Sequence, residues 1–266
     1  MLSIRICLLA CLTLLSGLAQ AKYDPEQYLY TLMGSTPNPN VNQNGIGIYV
    51  YDGVNSMDAL GPYRVFKTAG LKTFLIAQQA GTITTNDGLK IQVDKAIDHV
   101  AALDILLIPG GALETAAQTQ NQPVLDWIKR IDQTTVYTTS VCTGSWVLGA
   151  AGLLQGKQAT SNWYRAQEVL AKYGASFQQE RWVRDGKYWT SAGVSAGIDM
   201  ALAIVVDLFG GTALNNAYAQ AIMLDLEYDP KPPIRGGSVR KTNPKVFGAM
   251  QYMYDYYLLP FVQGTP

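Results

Sequence analysis

From Gly45 onward, short apolar runs alternate with amphipathic segments, and turn residues separate them. Gly45 to Tyr51 reads as a short buried strand, Met57 to Lys67 as a helix and Lys72 to Ala77 as a second strand. Asp104 to Ile108 is a continuous apolar run after its first residue, the pattern of a central parallel strand covered on both faces. It ends in Pro109-Gly110-Gly111. Asn121 and Pro123 open a helix with Val124, Leu125, Ile128 and Ile131 on one face. Val136 to Ser140 is another strand, running straight into Val141-Cys142-Thr143-Gly144-Ser145, and a helix follows to about Ala151. Asn162 is placed to cap a helix that ends before Gly174. Phe177 to Val183 and Lys187 to Thr190 read as a hairpin about Asp185-Gly186. Ser195 begins a long apolar helix that stops at Gly210-Gly211, and another runs to roughly Glu227. Between Val246 and Leu259, Phe247, Met250, Tyr254 and Leu258 recur at helical spacing. Such a helix suits packing on the body, a dimer contact or a membrane surface; scarce basic residues on its polar face argue against the last.

Strands alternating with helices predict an α/β fold with a mostly parallel sheet and helices on both faces. Ligands of such sheets bind beyond the carboxyl ends of the strands, where Pro109-Gly110-Gly111 and Val141 to Ser145 both fall. The amino end has a different character. Arg5, the apolar run Ile6 to Leu15 and Ala19-Gln20-Ala21 have the layout of a cleaved export leader. A lipobox at Leu8-Leu9-Ala10-Cys11 is the alternative, with a very short leader. The expected organisation is a signal peptide over 1–21, an arm or linker over 22–44, a main domain over 45–228 and an extension over 229–266. The mature protein is then expected in the periplasm or secreted, with no stable membrane insertion. The 266 residues carry 20 basic and 20 acidic side chains, and no basic block tracks phosphates, so nucleic acid is not an expected partner. Leader cleavage removes Cys7 and Cys11, leaving Cys142 as a lone thiol that forms no internal disulfide.

Cys142 follows a strand and precedes a helix, which sets its sulfur near the positive end of a helix dipole and favours thiolate. The N–H groups of Thr143, Gly110 and Gly111 are candidates to stabilise an anion forming beside it. The plainer alternative is a small buried hydrophobe. A nucleophilic thiol usually needs a proton partner. The single histidine, His99, precedes the Asp104 strand and so belongs at the opposite end of the sheet, and no His/Cys cluster suggests a metal. Asp58, in Met57-Asp58-Ala59-Leu60-Gly61-Pro62, is the best remaining partner, with a helix-capping role as the alternative. A carboxylate beside a thiolate shares one proton with it, and thiolate with protonated Asp58 is the expected resting form.

These segments resemble the ThiJ/PfpI family of the class I glutamine amidotransferase-like superfamily. The likeness rests on Met57 to Tyr63, Leu107 to Gly111, Ser140 to Leu154, Thr190 to Asp199 and Leu226 to Pro233. Within the family it is nearest to isonitrile hydratases and to the amidase-like domains of AraC-type regulators. The resemblance implies a flavodoxin-like three-layer sandwich, a homodimer, a cysteine nucleophile elbow at Cys142 followed by Thr143, and Asp58 as its partner. It implies no cofactor. Relatives often read Ala-Thr-Thr-His-Trp where this chain has Ala159-Thr160-Ser161-Asn162-Trp163. The expected function is an exported, cofactor-independent hydratase or hydrolase of a small electrophile, isonitrile hydratase-like, with Cys142, Asp58 and Thr143 catalytic and Gly110 and Gly111 binding the reacting group. The alternative is a non-catalytic small-ligand-binding or redox-sensing protein of the same fold.

Overall fold

The computed structural model describes residues 24–34, 37, 41, 43–210 and 213–264. Residues 1–21, expected to form an export leader and containing Cys7 and Cys11, lie outside the described residues. The arm contains helix α1 (Pro25–Met33), started by Pro25 and by Asp24, whose carboxylate accepts the N–H groups of Glu26 and Gln27. Residues up to Thr36 form one unit and Pro37 onward a second, which carries the site.

The second unit is built on a seven-stranded sheet. Its strands are β1 (Ile46–Tyr49), β2 (Thr73–Ala77), β5 (Lys95–Ala96), β6 (Ile105–Ile108), β7 (Tyr137–Val141), β10 (Trp182–Asp185) and β11 (Tyr188–Ser191), in the order β10-β11-β7-β6-β1-β2-β5. Every pairing is parallel except β10 with β11. Two small pairs stand apart: β3 (Thr82–Thr84) with β4 (Lys90–Gln92), and β8 (Gln158–Ala159) with β9 (Ser176–Phe177). Ile105, Leu106, Leu107 and Ile108 are all fully buried, as a strand sandwiched between helix layers requires. Asp104 pins the start of β6 to that of β1, accepting the N–H groups of Asn44 and Gly45.

One helix layer contains α2 (Ser56–Thr68), α7 (Val194–Leu208) and α8 (Ala213–Asp225). The other contains α3 (Leu113–Gln118), α4 (Gln122–Asp132), α5 (Gly144–Ala150) and α6 (Ala166–Lys172), with α9 (Pro244–Gln263) laid alongside. This is the flavodoxin-like sandwich. From β1 the chain turns one way to β2 and later the other way to β6 and β7, so the topological switch lies between β1 and β6. The loops after β1, β6 and β7 meet there.

Two local expectations change. The segment Phe177 to Val183 is not one strand: Phe177 ends β9, and the hairpin strand begins at Trp182. Asn162 caps no helix; α6 begins at Ala166, and the Asn162 oxygen instead accepts the N–H of Tyr164 in a turn. That turn leaves the Asn162 amide free for other work.

Candidate active site

The carboxyl end of β7 delivers Cys142. Its φ is +60°, a conformation that a side chain tolerates only when the surroundings enforce it. Three contacts do so. The Cys142 N–H donates to the Ser191 carbonyl at 2.9 Å, tying the elbow to the end of β11. The Cys142 carbonyl accepts from the hydroxyls of Ser145 and Ser161, each at 3.2 Å. Behind the elbow the chain needs a glycine, because a Cβ on Gly144 would stand 2.0 Å from the Ile108 carbonyl oxygen. The turn thus follows β6 at a distance only glycine permits.

Asp58 comes from the first turn of α2 and is fully buried. The capping role belongs to Asn55, whose side chain accepts the N–H groups of Met57 and Asp58. Asp58 is therefore released to face the cysteine. Its Oδ2 accepts the Gly110 N–H at 3.2 Å, while Oδ1 is buried without a hydrogen-bond partner. Burial pushes the carboxyl up to about 7, with the Cys142 thiol and the Gly110 N–H pulling the other way.

The Cys142 side chain is only partly shielded from solvent. Burial and the charge of Asp58 push its thiol well up, opposed by the Thr143 N–H and by Asn162. Both members of the pair thus hold protons more tightly than usual, whereas the form expected from the sequence is thiolate with protonated Asp58. Burial and the neighbouring carboxylate outweigh the donors at the sulfur, so one proton stays with the Cys142–Asp58 pair. A carboxyl at about 7 suits transfer of that remaining proton in either direction.

Asn162 reaches the sulfur directly, its Nδ2 lying 3.3 Å from Sγ. The turn accepted by its Oδ1 fixes which end of the amide faces the thiol. Thr143 works differently from its neighbour. Its hydroxyl is buried, accepts the N–H groups of Gly111 and Ala112 and shares a hydrogen bond with Thr115. Thr115 in turn meets the Tyr51 hydroxyl at 2.8 Å, and Tyr51 donates to the Pro109 carbonyl. Thr143 is thus the clasp between the β6 and β7 loops, and only its N–H addresses the sulfur. Gly110 and Gly111, expected to bind the reacting group, donate their N–H groups to Asp58 and Thr143 here. What the pair supplies is closeness: a Cβ on Gly110 would stand 2.5 Å from the Thr143 hydroxyl and 3.0 Å from Asp58 Oδ2.

His99 is exposed in a 3-10 turn (Ile97–His99) ahead of β6, at the opposite end of the sheet from Cys142. Among the described residues, no group of three His, Cys, Asp or Glu side chains is placed to hold a metal ion.

The family model described as DJ-1/PfpI matches residues 45–207, which include every residue of this elbow. The chain belongs to the DJ-1/PfpI family. Isonitrile hydratase of Pseudomonas putida is 37% identical over 194 residues, covering 73% of this chain and 82% of that one. The transcriptional regulator CdhR of Pseudomonas aeruginosa is 28% identical over 158 residues, of which this chain spans 46% of the regulator's length. The crystal structure of a ThiJ/PfpI family protein from Pseudomonas syringae superposes with a TM-score of 0.78 at 31% identity, over 94% of this chain and all of that one. DJ-1beta of Drosophila melanogaster, at 21% identity and a TM-score of 0.61, shares the fold. This DJ-1/PfpI chain therefore carries its family's domain together with helices on either side of the matched region. The structure brings Cys142 and Asp58 together as the sequence leads one to expect, and adds the Asn162 donor and the clasp through Thr115 and Tyr51, which the sequence does not signal.

Proposed function

We infer that this protein is a cofactor-independent hydratase of a small electrophile, with an isonitrile as the favoured substrate class. The observation that carries it is a partly accessible Cys142 on an enforced elbow, faced by a buried Asp58 whose carboxyl sits at about 7. The likeness to an isonitrile hydratase over most of both chains supports the same chemistry.

As the Cys142 sulfur adds to the terminal carbon of the isonitrile, the single proton of the Cys142–Asp58 pair passes through Asp58 to that carbon. The product is a thioimidate, with carbon bonded to sulfur and hydrogen and doubly bonded to nitrogen. Water adds to this carbon, its hydroxyl going to carbon and its other proton to nitrogen. Collapse of the adduct breaks the carbon–sulfur bond, releases the N-substituted formamide and returns the hydroxyl proton to the pair. Water is the only co-reactant. Asn162 and the Thr143 N–H hold the sulfur while it changes charge. The leader points to action outside the cytoplasm, and the protein works as a homodimer.

The test is turnover of a simple alkyl or aryl isonitrile, following formamide, with Cys142→Ala and Asp58→Asn as controls. Formamide from wild type and from neither variant supports the assignment. A folded wild type whose Cys142 alkylates but which yields no formamide rejects it and leaves ligand binding as the role of the site.

A further inference from the structure

The C-terminal helix α9 follows the family domain, yet it lies against the same site. Trp163 directly follows Asn162, whose amide holds the sulfur. Its ring meets Tyr254 of α9 with centroids 5.1 Å apart and Phe247 of α9 at 5.8 Å. Tyr254 also lies against Tyr164 at 5.3 Å. The phenol of Tyr254 is close enough to feel the charges of both Cys142 and Asp58. Trp163, Tyr254 and Phe247 are all half-buried, so part of each ring remains accessible.

This group is held by more than ring contacts. Asp255, the next residue on α9, accepts from Arg165 Nε at 2.7 Å, Arg165 Nη2 at 3.0 Å and the Tyr164 hydroxyl at 2.8 Å. On the same helix Phe261 stacks on Trp146 of the elbow helix α5 at 4.9 Å. The helix is thus fixed to the segment that carries Asn162 and to the helix that carries the elbow. None of the three rings is needed to hold the Cys142–Asp58 pair. None of them bears a charge, and the adjoining carboxylate, Asp255, is already neutralised by Arg165. These rings therefore offer no partner to an anionic substituent and a broad π surface to an apolar one.

We propose that Trp163, Tyr254 and Phe247 form the specificity wall of the site and select electrophiles that carry an aromatic or other flat apolar substituent. This rests on Cys142 being the nucleophile, as proposed above, but not on the identity of the reaction. Alkylation of the thiol separates the two. Cys142 is reacted with iodoacetamide and with N-benzyl iodoacetamide, and each rate is divided by that of glutathione with the same reagent. One well-placed aromatic contact corresponds to roughly a 3- to 10-fold advantage. The expected result is such an advantage for the benzyl reagent on wild type, kept by Tyr254→Phe and lost in Tyr254→Ala and Trp163→Ala. Tyr256→Ala, on the exposed side of the same helix, keeps it. Equal normalised rates on wild type overturn the proposal, and this needs no variant to fold. So does an advantage that survives both alanine substitutions. An advantage with no formamide from any isonitrile leaves the wall standing and removes only the hydratase assignment.

Discussion

Asp58 is a carboxyl that the fold buries without completing its hydrogen bonds, and that has consequences for stability as well as chemistry. Its proton affinity is raised from 3.8 to about 7, so the folded state binds a proton there that the unfolded chain releases. The penalty for an ionised Asp58 is absent below about pH 4, grows between the two values and is full above about 7, reaching at most roughly 4 kcal/mol. Asp58→Asn should therefore raise the unfolding temperature at pH 8 and leave it unchanged at pH 4, as read by calorimetry, while abolishing turnover. The same proton governs catalysis. The competent pair holds one proton, so kcat/KM should rise as pH increases through about 7, whichever atom keeps the remaining proton. The sulfur responds to its neighbours in opposite directions. Removing the charge of Asp58 lowers the thiol's pKa, and removing the Asn162 donor raises it. The pH profile of Cys142 alkylation should thus move down in Asp58→Asn and up in Asn162→Leu; parallel shifts in both variants would contradict this geometry.

At the scale of elements, the elbow helix α5 is the junction. It is only seven residues long and is held by packing rather than by its own length. Trp146, fully buried on α5, stacks against Phe261 near the end of α9, while Leu258 and Val262 of α9 are buried beside it. Lys172 at the end of α6 donates to the Phe261 carbonyl and lies over its ring. The tail is therefore a structural part of the elbow's support. Phe261→Ala should destabilise the protein by roughly 1–3 kcal/mol in urea unfolding, since the ring is partly rather than fully buried. Asp255→Asn removes the carboxylate clasped by Arg165 and should increase protease cutting near α9. The Asp255 carboxyl is held below its ordinary range mainly by Arg165, so this anchoring is present at neutral pH and fades as pH falls through the acidic range.

For the whole molecule, the organising event is convergence at the switch point between β1 and β6. Three strands end there and contribute Asp58, the glycine pair and Cys142, three segments far apart along the chain. No helix among the described residues is long and apolar enough to cross a membrane. If residues 1–21 act as the proposed leader, the chain expressed from Met1 in a Gram-negative host should appear in the periplasmic fraction with Lys22 as its first residue, checked by intact mass. Light scattering of that mature protein should give twice the mass of one chain.

Apolar periodicity along the chain was enough to determine the alternation of strands and helices, the central place of Asp104 to Ile108 and the loops at the sheet's carboxyl edge. It also marked Cys142 and Asp58, because a lone thiol between a strand and a helix and a carboxylate among apolar neighbours are both locally unusual. The remainder was decided by tertiary packing. Periodicity reports which face of an element is buried, not what meets it there. The Gly110 and Gly111 amides look like anion donors in sequence, and only the approach of Asp58 and Thr143 shows them already engaged. Asn162 has the residue type of a cap; the turn it makes with Tyr164 sends its amide to the sulfur. A helix terminus argues for thiolate, but the burial that opposes it comes from segments distant in the chain. The aromatic tail has helical spacing whatever it touches, and long-range contacts with Trp146, Trp163 and Arg165 set it beside the candidate site.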